Sequence, residues 1–85
     1  MNAHEIARRA SALPARFADR VPEDTLKGLR LMEEGGEYGE LTVELAATLA
    51  QTRAVVSRGE QRELRELLAA TDMPAGLADQ LQVRG

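Results

Sequence analysis

Apolar residues recur along most of the chain at the three- and four-residue spacing of an amphipathic helix. In the first segment they are Ile6, Ala10, Leu13 and Phe17. We therefore predict a helix over residues 2–18, with the Asn2 side chain capping its first turn. Pro14 lies inside this segment, where it removes one bond of the helical ladder and clashes with a carbonyl. We expect a kink at Pro14, or two short helices joined at Leu13.

Two further helices are predicted on either side of a glycine turn. The first covers residues 22–34, because Pro22 suits an opening position and Gly35-Gly36 suits a left-handed cap. The second covers residues 37–52, where the apolar side chains cluster within roughly 80° of arc. Those side chains are Tyr38, Leu41, Leu45 and Leu49. Three glutamates, Glu37, Glu40 and Glu44, lie on nearly the opposite side.

The fourth predicted helix, residues 58–71, has the clearest start signal in the chain. Ser57 and Glu60 match the capping box, in which each side chain binds the other residue's backbone N–H. One face carries Leu64, Leu67, Leu68 and Thr71. Arg62 and Glu66 are predicted to face water as a pair four residues apart. Pro74 ends this segment and opens a short helix over residues 74–81.

Composition favours helix over strand along the whole chain. Ala and Leu dominate the apolar residues, whereas the strand-forming residue types are scarce. A length of 85 residues suits one domain, residues 1–85. The short connections between predicted helices favour antiparallel neighbours. The predicted fold is therefore all-α, a compact bundle of four main helices plus a short C-terminal helix.

The chain shows no feature of a secreted or membrane-spanning protein. It has no cysteine, whereas a secreted domain of this size usually depends on disulfides. No N-terminal stretch has the pattern of a signal peptide, and no segment approaches 18 uninterrupted apolar residues. We therefore expect a cytoplasmic protein with no membrane partner.

The sequence offers little for catalysis or for metal binding. His4 is the only histidine, and without cysteine it lacks the further ligands that a metal site needs. Ser11 and Ser57 have no histidine base to activate them. The glutamates lie on predicted solvent-facing sides and not in an apolar pocket, which a general acid would need. We predict no catalytic, metal-binding or cofactor-binding residue, and a protein that binds another macromolecule without being an enzyme.

Charge is unevenly distributed along the chain. Residues 1–22 carry a net charge of +2, residues 23–44 a net charge of −5, and residues 45–85 a net charge of zero. An acidic segment repels phosphate and attracts a basic partner. The predicted partner-binding residues all lie in it, and they are Glu33, Glu34, Glu37, Tyr38, Glu40 and Glu44.

The arginines do not favour a nucleic-acid partner. The only basic cluster comprises Arg8, Arg9, Arg16 and Arg20. On the fourth helix, arginines alternate with Glu63 and Glu66, which largely cancels their field. We therefore predict no nucleic-acid binding. A small DNA-binding regulator is kept as a third hypothesis, which a salt-dependent gel shift would support.

Three features follow one another between Phe17 and Leu81. A helix opened by a proline ends at a glycine turn. The run GEYGELTVELAATLA, residues 36–50, then leads from that turn into a helix of leucines with glutamates between them. The capped helix EQRELRELLAATDMP, residues 60–74, comes last. This order resembles that of the MafI family of bacterial immunity proteins over roughly three-quarters of the chain.

The resemblance implies a specific role. Such proteins neutralise a toxin encoded beside them, often a nuclease or another nucleic-acid-modifying domain at the end of a secreted polymorphic toxin. We therefore expect an immunity protein that binds a cognate toxin with a basic active-site surface, with Tyr38 as an anchor if it is only partly buried. The alternative is a helical adaptor or regulatory protein unrelated to toxins, which would explain the same composition.

Overall fold

Five α-helices and two 3-10 helices make up most of the chain in the computed structural model, which describes all 85 residues. The α-helices are α1 (Ala3–Ser11), α2 (Leu13–Arg16), α3 (Glu23–Glu34), α4 (Tyr38–Gln51) and α5 (Arg58–Ala70). The 3-10 helices are Ala18–Arg20 and Ala75–Gln80, and the two-residue strands are β1 (Val55–Val56) and β2 (Gln82–Val83). The predicted all-α fold is confirmed. No helix has the length and apolar character needed to cross a bilayer.

The N-terminal segment forms two short helices that meet at Leu13, which is the second of the two predicted outcomes and not a single kinked helix. α1 ends at Ser11, and α2 begins after Ala12, so Pro14 occupies the first turn of a new helix. A proline is tolerated there because the first N–H groups of a helix have no intrahelical partner. The break lets Leu13, Pro14 and Phe17 all be buried.

α4 is the central helix of the fold. It packs against α1, α3, α5 and the second 3-10 helix, and it buries Leu41, Leu45 and Leu49 completely. Only four of its 14 residues are exposed. They are Glu40, Glu44, Ala47 and Gln51. The spacing of four, three and four makes them a single narrow strip along the helix.

α3, α4 and α5 end in the same way. Each has a residue with positive φ just past its end, and the next residue's N–H donates to a carbonyl five positions back, as in a Schellman motif. These residues are Gly36 (φ 71°), Arg53 (φ 57°) and Asp72 (φ 59°). The glycine cap predicted for α3 is present, whereas α4 and α5 place side chains in the left-handed region, which costs about 1–2 kcal/mol per residue.

Arg53→Gly is expected to raise the free energy of unfolding by about 0.5–1 kcal/mol. Glycine adopts the left-handed region without strain, although its flexibility in the unfolded chain offsets part of the gain. Urea denaturation followed by circular dichroism measures the change. Arg30→Gly is the control, because Arg30 lies inside α3, where glycine is expected to cost about 1 kcal/mol. Equal destabilisation by both changes would contradict the strain at Arg53.

The C-terminal segment differs most from the predicted pattern. The short helix predicted over residues 74–81 is present as a 3-10 helix over Ala75–Gln80, with Pro74 at its N-cap. β2 then pairs in parallel with β1, in the register Val55 with Gln82 and Val56 with Val83. The Arg84 N–H extends this pairing by donating to the Val56 carbonyl at 2.9 Å. The chain end is thereby held against the connection between α4 and α5.

Candidate partner-binding surface

The five glutamates predicted to bind a partner surround the turn between α3 and α4. Four of their side chains are exposed, whereas Glu33 is half-buried. None of the five makes a side-chain hydrogen bond or an ion pair within the chain. We call these residues the acidic surface, and they are Glu33, Glu34, Glu37, Glu40 and Glu44. None of its carboxylates is therefore within ion-pair distance of a cation of the protein.

The α4 part of the acidic surface is regular. Glu37 lies at the N-cap position, and Glu40 and Glu44 follow on the exposed strip, on the side away from the buried leucines. Carboxylates near a helix N-terminus are favoured by the macrodipole. Glu37 and Glu40 therefore also stabilise α4 locally, and partner binding is not needed to explain why acids occur there.

Two apolar side chains adjoin the acidic surface. Tyr38 is half-buried and packs against the core, so it meets the condition set for an anchor. Leu31 was not singled out from the sequence, yet it is 67% exposed, the most exposed of the large hydrophobic residues. At 100° per residue it lies roughly 200° from the buried Leu29, and this angle could have identified it from the sequence.

Packing at Gly39 shows how α4 and α5 are arranged. A Cβ built on Gly39 would lie 2.9 Å from Met73 Cε and 3.1 Å from Thr71 Cβ. The start of α4 therefore lies beside the end of α5, and the two helices run antiparallel. The exposed Asp72 consequently lies near the acidic surface and adds a sixth carboxylate without an ion pair.

The predicted basic cluster near the N-terminus is mostly neutralised inside the molecule. Arg9 donates through Nε to Glu63 at 2.9 Å and through Nη2 to Glu66 at 2.7 Å. Arg16 and Arg20 both donate to Glu60. Because Glu66 pairs with Arg9 of α1, the predicted pair between Arg62 and Glu66 is wrong. Of the four clustered arginines, only Arg8 makes no ion pair.

Glu60 is the centre of this arginine–glutamate network. Its side chain is only 7% exposed, and it accepts from Arg20 and Arg16 as well as from the Ser57 backbone N–H at 2.9 Å. The Arg20 guanidinium, followed by the Ser57 and Arg16 bonds, lowers the pKa of Glu60 to about 2 despite its burial. The predicted capping box is present, but it is one part of a larger contact that joins α5 to the N-terminal helices.

The acids and the arginines of α5 lie on different faces of the helix. The prediction that their charges largely cancel is therefore wrong. Its acids Glu60, Glu63 and Glu66 all pair with arginines of the N-terminal segment. Arg58, Arg62 and Arg65 line a shallow groove of about 370 Å³ beside the chain end. Arg65 contacts Asp79, whereas Arg58 and Arg62 are exposed and make no ion pair.

The remaining candidates for chemistry stay apart. His4 is exposed in the first turn of α1, and no three His, Cys, Asp or Glu side chains are placed together to hold a metal ion. The predicted site residues all lie in the segment 33–44, around the turn between α3 and α4. Family models, curated proteins and solved structures compared with this chain give no match.

Proposed function

We propose that this chain is an immunity protein that binds a cognate toxin and neutralises it by protein–protein contact. The observation that carries the proposal is the acidic surface, whose five carboxylates form no ion pair within the chain while the acids of α5 are paired. The order of features that resembles the MafI family supports the same role. In this proposal the chain is cytoplasmic and supplies no catalytic residue and no cofactor.

Charge complementarity explains how such binding would inhibit. An enzyme that acts on RNA or DNA needs a basic groove, because phosphate contacts dominate its affinity for nucleic acid. The acidic surface would occupy that groove in place of phosphates. Complementary charge also accelerates association, which matters when a toxin must be captured before it acts. Tyr38 and Leu31 are the apolar side chains placed to enter the partner's surface beside the charges.

Co-expression with the adjacent open reading frame tests the proposed function. The C-terminal domain encoded by that neighbour is expected to arrest growth alone and to be harmless when this chain is present. A neighbour that is harmless alone, or that stays harmful in the presence of this chain, would overturn the proposal. The helical adaptor or regulatory protein would then be the better explanation.

Changing Glu37, Glu40 and Glu44 together to lysine is expected to leave the fold intact and to weaken the toxin complex about 10- to 100-fold. All three lie on exposed positions of α4 or its N-cap, so little packing is lost. Surface plasmon resonance against the toxin domain measures the affinity, and circular dichroism checks the fold.

The matched control changes Asp19, Glu23 and Asp24 to lysine. These acids are also exposed, and the change in net charge is the same, but they lie before α3 or in its first turn. Affinity should remain close to that of the native chain. If both triple variants weaken binding equally, only net charge matters, and the contact surface lies elsewhere.

A further inference from the structure

Two exposed stripes of opposite charge lie on neighbouring helices. The glutamate stripe is Glu37 at the N-cap of α4 together with Glu40 and Glu44 on α4. The arginine stripe on α5 is Arg58 and Arg62, which are exposed, and Arg65, which is half-buried. Each stripe covers eight residues, and its first and last members are about 10 Å apart along the helix axis. Apart from the contact between Arg65 and Asp79, no residue of either stripe makes an ion pair.

The spacings of the two stripes match when the helices run in opposite directions. From Glu37 the next glutamates follow after three and then four residues, and from Arg65 backwards the arginines follow after three and then four residues. Antiparallel helices would therefore bring three pairs into register. Those pairs are Glu37 with Arg65, Glu40 with Arg62, and Glu44 with Arg58.

The stripes cannot meet within one chain. α4 and α5 pack against each other, and both contribute buried leucines to the core, such as Leu45 and Leu64. The charged stripes lie on other faces of the two helices. No ion pair joins a residue of one stripe to a residue of the other. Neither stripe is therefore paired by the other within one chain, whereas a second copy of the chain presents a stripe of complementary charge to each.

We propose that copies of this chain associate weakly, with the glutamate stripe of α4 in one copy against the arginine stripe of α5 in the next. The two surfaces differ, so the contact is heterologous, and each copy keeps one stripe free for a further neighbour. Exposed ion pairs are weak and are screened by salt, so the association is reversible and salt-sensitive. The small Ala47 next to Glu44 on the exposed strip leaves room for an approaching helix.

Sedimentation velocity on the chain alone tests this association. At about 1 mM protein and 0.01 M salt, where the screening length is about 30 Å, the average mass is expected to exceed the 9.3 kDa of one chain. At 1 M salt, where the screening length is about 3 Å, it should return to 9.3 kDa. A mass of one chain under both conditions would overturn the proposal. No toxin is involved, so this result is independent of the proposed function.

Charge reversal then identifies the surfaces. A variant with Glu40→Arg and Glu44→Arg, and a second with Arg58→Glu and Arg62→Glu, should each be monomeric alone and should associate when mixed. The control, Arg8→Glu with Arg30→Glu, reverses two other exposed arginines that make no ion pair, and it should associate like the native chain. If the mixture stays monomeric, or if the control loses association as well, the stripes are not the contact.

Discussion

Glu60→Gln is expected to lower the free energy of unfolding at pH 7 by about 3 kcal/mol. The native fold lowers the pKa of Glu60 from 4.5 to about 2. A shift of that size corresponds to about 3 kcal/mol that favours the folded state when the carboxyl is ionised. Glutamine keeps the shape of the side chain but removes the negative charge that Arg20 and Arg16 contact. Equilibrium unfolding in urea at pH 7 measures the loss.

The pH dependence separates this charge effect from simple loss of shape. Because the folded pKa lies below the unfolded one, the Glu60 contribution is complete above pH 4.5 and is lost as the pH falls towards 2. The difference between the native chain and the variant should therefore shrink over this interval. Glu44→Gln is the control, since Glu44 is exposed and makes no ion pair. A Glu60→Gln deficit that stays constant from pH 7 to pH 2 would contradict this explanation.

Leu45→Ala is expected to cost about 2–5 kcal/mol of stability. Leu45 is fully buried in the middle of the central helix, so truncation removes apolar contacts and leaves a cavity in the core. A domain of this size has a net stability of only about 5–15 kcal/mol, so the variant is expected to unfold at markedly lower urea concentration. Chemical denaturation monitored by circular dichroism at 222 nm measures the shift of the midpoint.

Leu31→Ala is the matched control for this core substitution. It removes the same atoms from a helix, but Leu31 is 67% exposed, and the change should stay within about 0.5 kcal/mol. Similar losses at Leu31 and Leu45 would mean that Leu31 is buried in solution. Such a result would also remove Leu31 from the proposed partner contact.

Much of the fold could be predicted from short-range signals in the sequence. The capping box at Ser57 and Glu60, the glycine turn after α3 and the leucine spacing of α4 all act within one or two helical turns. The structure that each of these signals produces therefore depends on only a few neighbouring residues. The predicted helix bounds differ from the observed ones mainly at the N-terminal break and in the C-terminal 3-10 helix, where local signals compete with packing.

The candidate site was predictable only in part. The exposure of Glu37, Glu40 and Glu44 follows from their position opposite the leucines on α4. Leu31 was missed, although its angle of roughly 200° from the buried Leu29 places it on the solvent side of α3. The separation of charge on α5 was missed because the cancellation of alternating charges depends on which face each side chain occupies and on what packs against that face.

By itself, the sequence determined the helices and their solvent-facing sides, because both depend on residues within about four positions of each other. Only the tertiary structure decided which charges are matched. Arg9 is 54 residues from Glu63, and Arg20 is 40 residues from Glu60, so no local pattern links these partners. The pairing of β1 with β2 is likewise decided by packing, since two residues are too few to show a strand period. Pairing of the N-terminal arginines with the acids of α5 occupies those charges, whereas the acidic surface forms no ion pair within the chain.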